Sequence, residues 1–148
     1  MKINTKTRYG LRAMIEIALQ KDNRGILQKD IAKNQGISEK YLDQIIPVLK
    51  TAGFITNVAG KRSGYMLVQS SREITILDIY KAFNREVALV DCLEEGKDCR
   101  KQGCCAANDF WRELNACIEE KMNSVSLSEL TEKQKDLYDR DEPILYHI

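Results

Sequence analysis

Apolar positions recur at helical steps through most of the chain and give way to alternation only once. Leu11, Met14, Ile15, Ala18 and Leu19 lie on one side of a helix expected from an N-cap at Thr5 to about Lys21. Asp22-Asn23-Arg24-Gly25 reads as a turn, and a short helix over about Gln28 to Asn34 carries Ile31 and Ala32 inward until Gln35-Gly36 stops it. Ser38 caps the next helix, which buries Leu42, Ile45, Ile46 and Leu49 and ends at Gly53. Pro47 falls inside that helix, so a kink or break is expected there.

Phe54 to Val58 and Tyr65 to Val68 are short and rich in β-branched or aromatic types, and the turn between them contains Lys61 and Arg62. Two short helices joined by a Gly-containing turn and followed at once by a hairpin make a winged helix-turn-helix. Its second helix suits the major groove, and its wing tip suits phosphate or the minor groove. An ordinary surface hairpin is the plainer alternative, which position and charge together disfavour. Thr75 to Asp78 has the capping-box pattern and opens a helix to about Asn84.

The longest helical pattern runs from Asn108 to about Val125, with Phe110, Trp111, Leu114, Cys117, Ile118, Met122 and Val125 at helical steps. Its broad apolar side suits pairing with a second copy, simple packing on the winged helix being the alternative. Within it Cys117 is expected to be a buried small hydrophobe. Ser126 to Glu129 repeats the capping-box pattern before a last short helix, and the acidic end DRDEPILYHI is expected to be partly mobile. The fold class is therefore mainly α with a small β-hairpin wing. The expected divisions are a DNA-binding winged helix-turn-helix (1–84), a cysteine-rich loop (85–107), a dimerisation helix with a short following helix (108–135) and a tail (136–148).

Composition adds little until the chain is divided. The 148 residues are 43% hydrophobic and 30% charged, as in a globular protein, and the formal charge is only +1. Yet residues 1–74 hold 13 Lys+Arg against 6 Asp+Glu, a net of +7, while residues 75–148 hold 10 against 16, a net of −6. A basic first half suits a phosphate backbone; an acidic second half suits protein contacts. Lys6, Arg8 and Arg12 crowd the first turns of the opening helix, against its dipole, which an outside anion would explain. No apolar run is long enough to span a membrane or to serve as a signal peptide, so a cytoplasmic location is expected.

The candidate DNA contacts are Arg8, Gln28, Ser38, Lys40, Tyr41, Asp43, Gln44, Lys61 and Arg62. Lys40 suits guanine, Gln44 adenine and Asp43 the amino group of cytosine, while Tyr41 divides evenly between groove and core.

Chemistry concentrates between Val90 and Trp111, where Cys92, Cys99, Cys104 and Cys105 lie within fourteen residues. The only histidine is His147, and no acid-base pair or phosphate loop accompanies the thiols, so an enzyme or a small iron-sulfur carrier is disfavoured. Clustered cysteines in a reducing compartment point to metal or redox work. Gly96 and Gly103 let such a loop turn, and Lys97, Arg100 and Lys101 favour thiolates beside an anionic centre. A thiolate-held iron-sulfur cluster, a zinc site and free redox thiols all remain open. Adjacent Cys104 and Cys105 and the lack of C-x2-C pairs weigh against zinc.

TKTRYGLRAMIEIAL, ISEKYLDQII with LKTAGFI behind it, GKRSGYMLV and SVSLSEL together resemble the Rrf-type family of bacterial winged-helix regulators over nearly the whole chain. The family includes IscR-like and NsrR-like cluster sensors and CymR-type repressors. The resemblance implies a homodimer on palindromic operators, with the long helix crossing to the partner subunit. It also implies an iron-sulfur cluster, 2Fe-2S or 4Fe-4S, on Cys92, Cys99 and Cys105, since CymR-type members lack the cysteines. The chain departs from that pattern in three places. Asn108 stands where IscR-like members have a histidine ligand, and Arg8 where NsrR-like members have an acidic one. Ala59 replaces the arginine before the first wing glycine, a role open to Lys61 or Arg62. The fourth ligand is thus open among Cys104, Asn108, a carboxylate such as Asp91 or Asp109, and an external group.

Overall fold

A computed structural model describes residues 2–20, 24–59 and 64–145. The first helix, α1, spans Thr5–Ala18, and its N-cap is Asn4 rather than Thr5: the Asn4 side chain accepts from the Thr7 amide at 2.8 Å. Either residue can cap, but Asn4 keeps extended backbone while Thr5 is already helical. The helix closes at Leu19, short of the expected Lys21, which lies outside the described residues. Ala13, Met14 and Ile17 carry it into the core.

Helix α2 (Gln28–Gln35) ends on Gly36 in the left-handed region at φ 61°, where a side chain would be strained. Helix α3 (Glu39–Thr51) starts at Ser38, whose hydroxyl accepts from the Tyr41 amide at 3.1 Å, and buries Leu42, Ile45, Ile46 and Leu49 as expected. The break expected at Pro47 does not occur: α3 runs through it. Pro47 and Asp43, four residues earlier, are both exposed, so the carbonyl deprived of its donor can turn to water.

The hairpin pairs β1 (Ile55–Asn57) with β2 (Tyr65–Leu67) in antiparallel register, Thr56 opposite Met66. Ile26 adds a bridge to Tyr65 through two backbone hydrogen bonds of 3.0 and 2.8 Å, giving the wing a third, one-residue edge. Gly64 is required there, because a Cβ would come within 2.9 Å of the Ile26 amide nitrogen. The wing tip, including Lys61 and Arg62, lies outside the described residues.

Helix α4 (Ile76–Phe83) forms the expected capping box: the Asp78 amide donates to Thr75 Oγ1 at 3.1 Å and the Thr75 amide to Asp78 Oδ2 at 2.9 Å. It docks on α1 through Gly10, above which the Phe83 ring sits so closely that a Cβ would fall 2.3 Å from it. A 3-10 turn at Asp91–Leu93 precedes α5 (Ala106–Asn123). The chain then returns to where it left: the Ile76 amide donates to the Val125 carbonyl and the Leu127 amide to the Ile74 carbonyl, with Thr75 bridged to Ser126.

The final helix, α6, is not the short element expected. It runs Leu127–Leu145, taking in Asp139 to Leu145 of the segment expected to be mobile. The Ser126–Glu129 capping box opens it as predicted, with the Ser126 amide on Glu129 Oε2 at 2.7 Å. Its length follows from support: Leu127 is buried, Leu130 packs on the core, and Tyr138 reaches α1. Among the described residues no helix is long and apolar enough to cross a membrane.

Candidate DNA-reading face and cysteine loop

Capping at Ser38 presents the first turns of α3 outward, leaving Ser38, Lys40, Asp43 and Gln44 exposed. Tyr41 is half-buried and packs edge-on against Tyr9 at 5.2 Å, so it belongs chiefly to the core side of the face. Gln28 donates to Asp43 Oδ1 at 2.7 Å and to the Glu39 carbonyl at 3.2 Å, and its Oε1 accepts from the Tyr65 hydroxyl at 3.3 Å. One amide thereby fastens α2, α3 and the wing together, and holds the Asp43 carboxylate. Tyr65 escaped the sequence reading because its alternation marked it only as a strand residue.

Two of the cations at the start of α1 separate in role. The Arg12 guanidinium donates to Gln35 Oε1 at 2.9 Å and to the Gln35 carbonyl, so it braces α2, whereas Arg8 is exposed and donates to Thr5 Oγ1 at 3.2 Å. Lys50, not singled out from sequence, lies 5.1 Å over the Tyr65 ring and adds a cation beside the wing.

The start of the cysteine loop is tied twice. At its start, Asn84 donates to Thr7 Oγ1 at 2.8 Å and accepts from Asn4 at 3.0 Å, joining the end of α4 to the cap of α1. Further on, Asn115 of α5 donates to the Val87 carbonyl at 2.9 Å and accepts from the Leu89 amide at 3.0 Å, pairing with the chain as a strand neighbour would. Asn115 is a polar position within the helical pattern of α5, which gave no signal.

All five cysteines are free thiols. Cys92, Cys99 and Cys105 are half-buried and Cys104 is exposed, its thiol 3.4 Å from the Lys101 carbonyl. Cys92 Sγ accepts from Asn108 Nδ2 at 3.3 Å. Among the described residues no three His, Cys, Asp or Glu side chains are gathered as a metal would require. The donor set fits a cluster in kind, being three soft thiols on a chain with left-handed glycines at 96 and 103. Lys97 is not spent on the thiols: it pairs with Glu94 at 2.6 Å, and that hydrogen bond raises its pKa. Cys117, expected to be buried, is exposed. It lies on the same helix as Phe110, Trp111 and Leu114, which are 56%, 37% and 38% exposed, so this chain leaves much of the apolar side of α5 uncovered.

A helix-turn-helix with a hairpin wing, basic at its reading end, defines a winged-helix DNA-binding protein. The Rrf2 family, described as "Iron-dependent Transcriptional regulator", matches residues 3–133, and the chain belongs to it. Protein rrf2 of Nitratidesulfovibrio vulgaris is 36% identical over 88% of this chain and 87% of its own length. The regulator IscR of Vibrio campbellii is 33% identical over 88% of this chain and 77% of its own. Among solved structures, CymR, the global cysteine regulator of B. subtilis, superposes with a TM-score of 0.74 at 29% identity, covering 90% of this chain and 98% of its own. IscR of T. potens gives 0.72 at 30%, covering 93% and 90%. The protein is a transcriptional regulator and not an enzyme.

Proposed function

We propose that this regulator works as a homodimer on palindromic operators and senses iron-sulfur status, redox state or nitric oxide through a cluster held by Cys92, Cys99 and Cys105. The observation that carries the reading is the position of the thiols: they stand between α4, docked on the DNA-reading unit, and α5, whose apolar side is uncovered. When bound, the cluster would supply an iron centre sensitive to oxidants and nitric oxide. The chain's own part is mechanical. Closing the loop on its ligand draws Cys99 and Cys105 toward Cys92, and Asn115 and Asn84 pass the resulting strain to α5 and α1. In a dimer paired through α5, that strain alters the spacing of the two α3 helices, and operator half-sites have fixed spacing. Residues 1–84 thus form the reader, 85–107 the sensor, 108–135 the pairing element and 136–148 the tail, of which 136–145 complete α6.

DNA contact is assigned to Ser38, Lys40 and Gln44 on base edges, with Arg8, Lys61 and Arg62 on phosphate. Gln28, Tyr41 and Asp43 shape the face from behind. Operator titrations with reconstituted and cluster-free protein test the mechanism, and equal affinities on every candidate operator would sink it. Anaerobic purification with a visible spectrum and iron and sulfide analysis tests the cofactor. The same family reading without a cluster, sensing by free thiols or a protein partner, is favoured by one fact: the described residues gather no metal site. A colourless, iron-free protein that still binds its operator would select it.

A further inference from the structure

Asn108 occupies the first turn of α5 and is only 7% exposed, so both ends of its amide must find partners inside the protein. One end meets Arg112: the guanidinium donates to Asn108 Oδ1 at 3.0 Å. A guanidinium has donors only, so that end has to be the oxygen. The opposite end, which carries only N–H groups, is then the one that faces Cys92 Sγ at 3.3 Å. Rotating the amide by half a turn would set N–H against N–H at Arg112. The orientation therefore follows from donor and acceptor chemistry.

We propose that Asn108 is a positioning residue for Cys92, an N–H donor to its sulfur aimed by Arg112, and not an oxygen ligand to a bound metal. An N–H donor on one side of the sulfur fixes the direction in which Sγ points. Arg112, one helical turn behind, sets that orientation from the solvent side, so the arrangement does not depend on the rest of the loop. The hydrogen bond stands whatever Cys92 holds. Its effect on a cluster rests on the reading of Cys92 as a ligand, where donation to a ligating sulfur raises the reduction potential.

The side-chain amide of Asn108 in the 15N-labelled, metal-free protein provides the direct test. Its two proton resonances should be displaced from exposed-amide positions and slow to exchange with water, and both Cys92→Ala and Arg112→Leu should move them. Exposed-type shifts with fast exchange, unaffected by either substitution, would overturn the proposal. After anaerobic reconstitution, Asn108→Leu should still take up iron and sulfide in the wild-type ratio but show a lower reduction potential. Loss of the cluster from a variant that keeps its native circular dichroism would make Asn108 a ligand and equally overturn it. Wild-type protein that takes up no iron would sink the cluster reading instead, leaving the amide resonances to decide this inference.

Discussion

The Tyr138 hydroxyl donates to Glu16 Oε1 at 2.6 Å, joining residues 122 positions apart. Glu16 is fully buried on α1 and also accepts from Gln35 Nε2 at 2.7 Å and Asn34 Nδ2 at 3.1 Å. One carboxylate thus fastens the last helix, the first helix and the helix-turn-helix. A carboxylate without these donors would be costly to bury. Tyr138→Phe should lower unfolding free energy by about 1–2 kcal/mol, the lower part of the range for a hydrogen bond to a charged group because Tyr138 is partly exposed. Equilibrium denaturation measures it; an unchanged midpoint would show that the bond adds nothing.

The same pair sets an alkaline limit. Burial, and then the hydrogen bond to Glu16, push the Tyr138 pKa up from 10.0 to about 12. A group whose folded pKa is raised contributes stability that is complete below its unfolded pKa and is lost as pH climbs through the folded one. The stability gap between wild type and Tyr138→Phe should hold steady up to pH 10 and shrink between 10 and about 12. A gap that widened across that window would contradict the assignment.

Gly10→Ala puts a methyl group 2.3 Å from the Phe83 ring. Overpacking of this kind costs about 1–3 kcal/mol. Because α4 carries the cysteine loop, melting temperature and operator affinity should fall together. Phe83→Leu in the Gly10→Ala background, which removes the obstructing ring, should restore part of both.

Asn115→Ala removes a donor to Val87 and an acceptor for Leu89. Unpaired backbone groups cost about 1–3 kcal/mol, here confined to the segment leading into the loop. Hydrogen exchange at the Leu89 amide should quicken while the exchange of buried Leu42 and Ile45 in α3 stays put. Equal acceleration everywhere would mean that Asn115 supports the whole fold.

Arg62→Ala should weaken operator binding and lower the slope of log affinity against log salt by about 1, as expected for one lost phosphate contact. An unchanged slope would remove the wing tip from the interface.

Local rules made much of the reader legible. Ser38, Gly36, Thr75 and Ser126 each act within four residues, and α3 turns to the core the four apolar side chains that its spacing marks. What escaped depends on partners distant in sequence. Pro47 looked disruptive because sequence does not say that the carbonyl it orphans faces solvent. The length of α6 depends on Tyr138 meeting Glu16, and the Ile26 bridge on a strand forty residues later. Cys117 illustrates a different limit: periodicity places it on an apolar side of α5 but does not say whether that side is covered within one chain. The cysteine spacing identified the thiols, while the Asn108 contact depends on how α5 is rotated against the 3-10 turn.

The closure of the backbone at Ile74–Ile76 on Val125–Leu127 has a consequence for how such a protein can vary. The loop and α5 leave after α4 has packed on α1 and re-enter through one narrow doorway, while α6 resumes against α1 as though the chain had never departed. A segment inserted in this way can exchange its loop without rewriting the helix-turn-helix and the hairpin. The doorway makes that loop a replaceable cassette in a fixed frame.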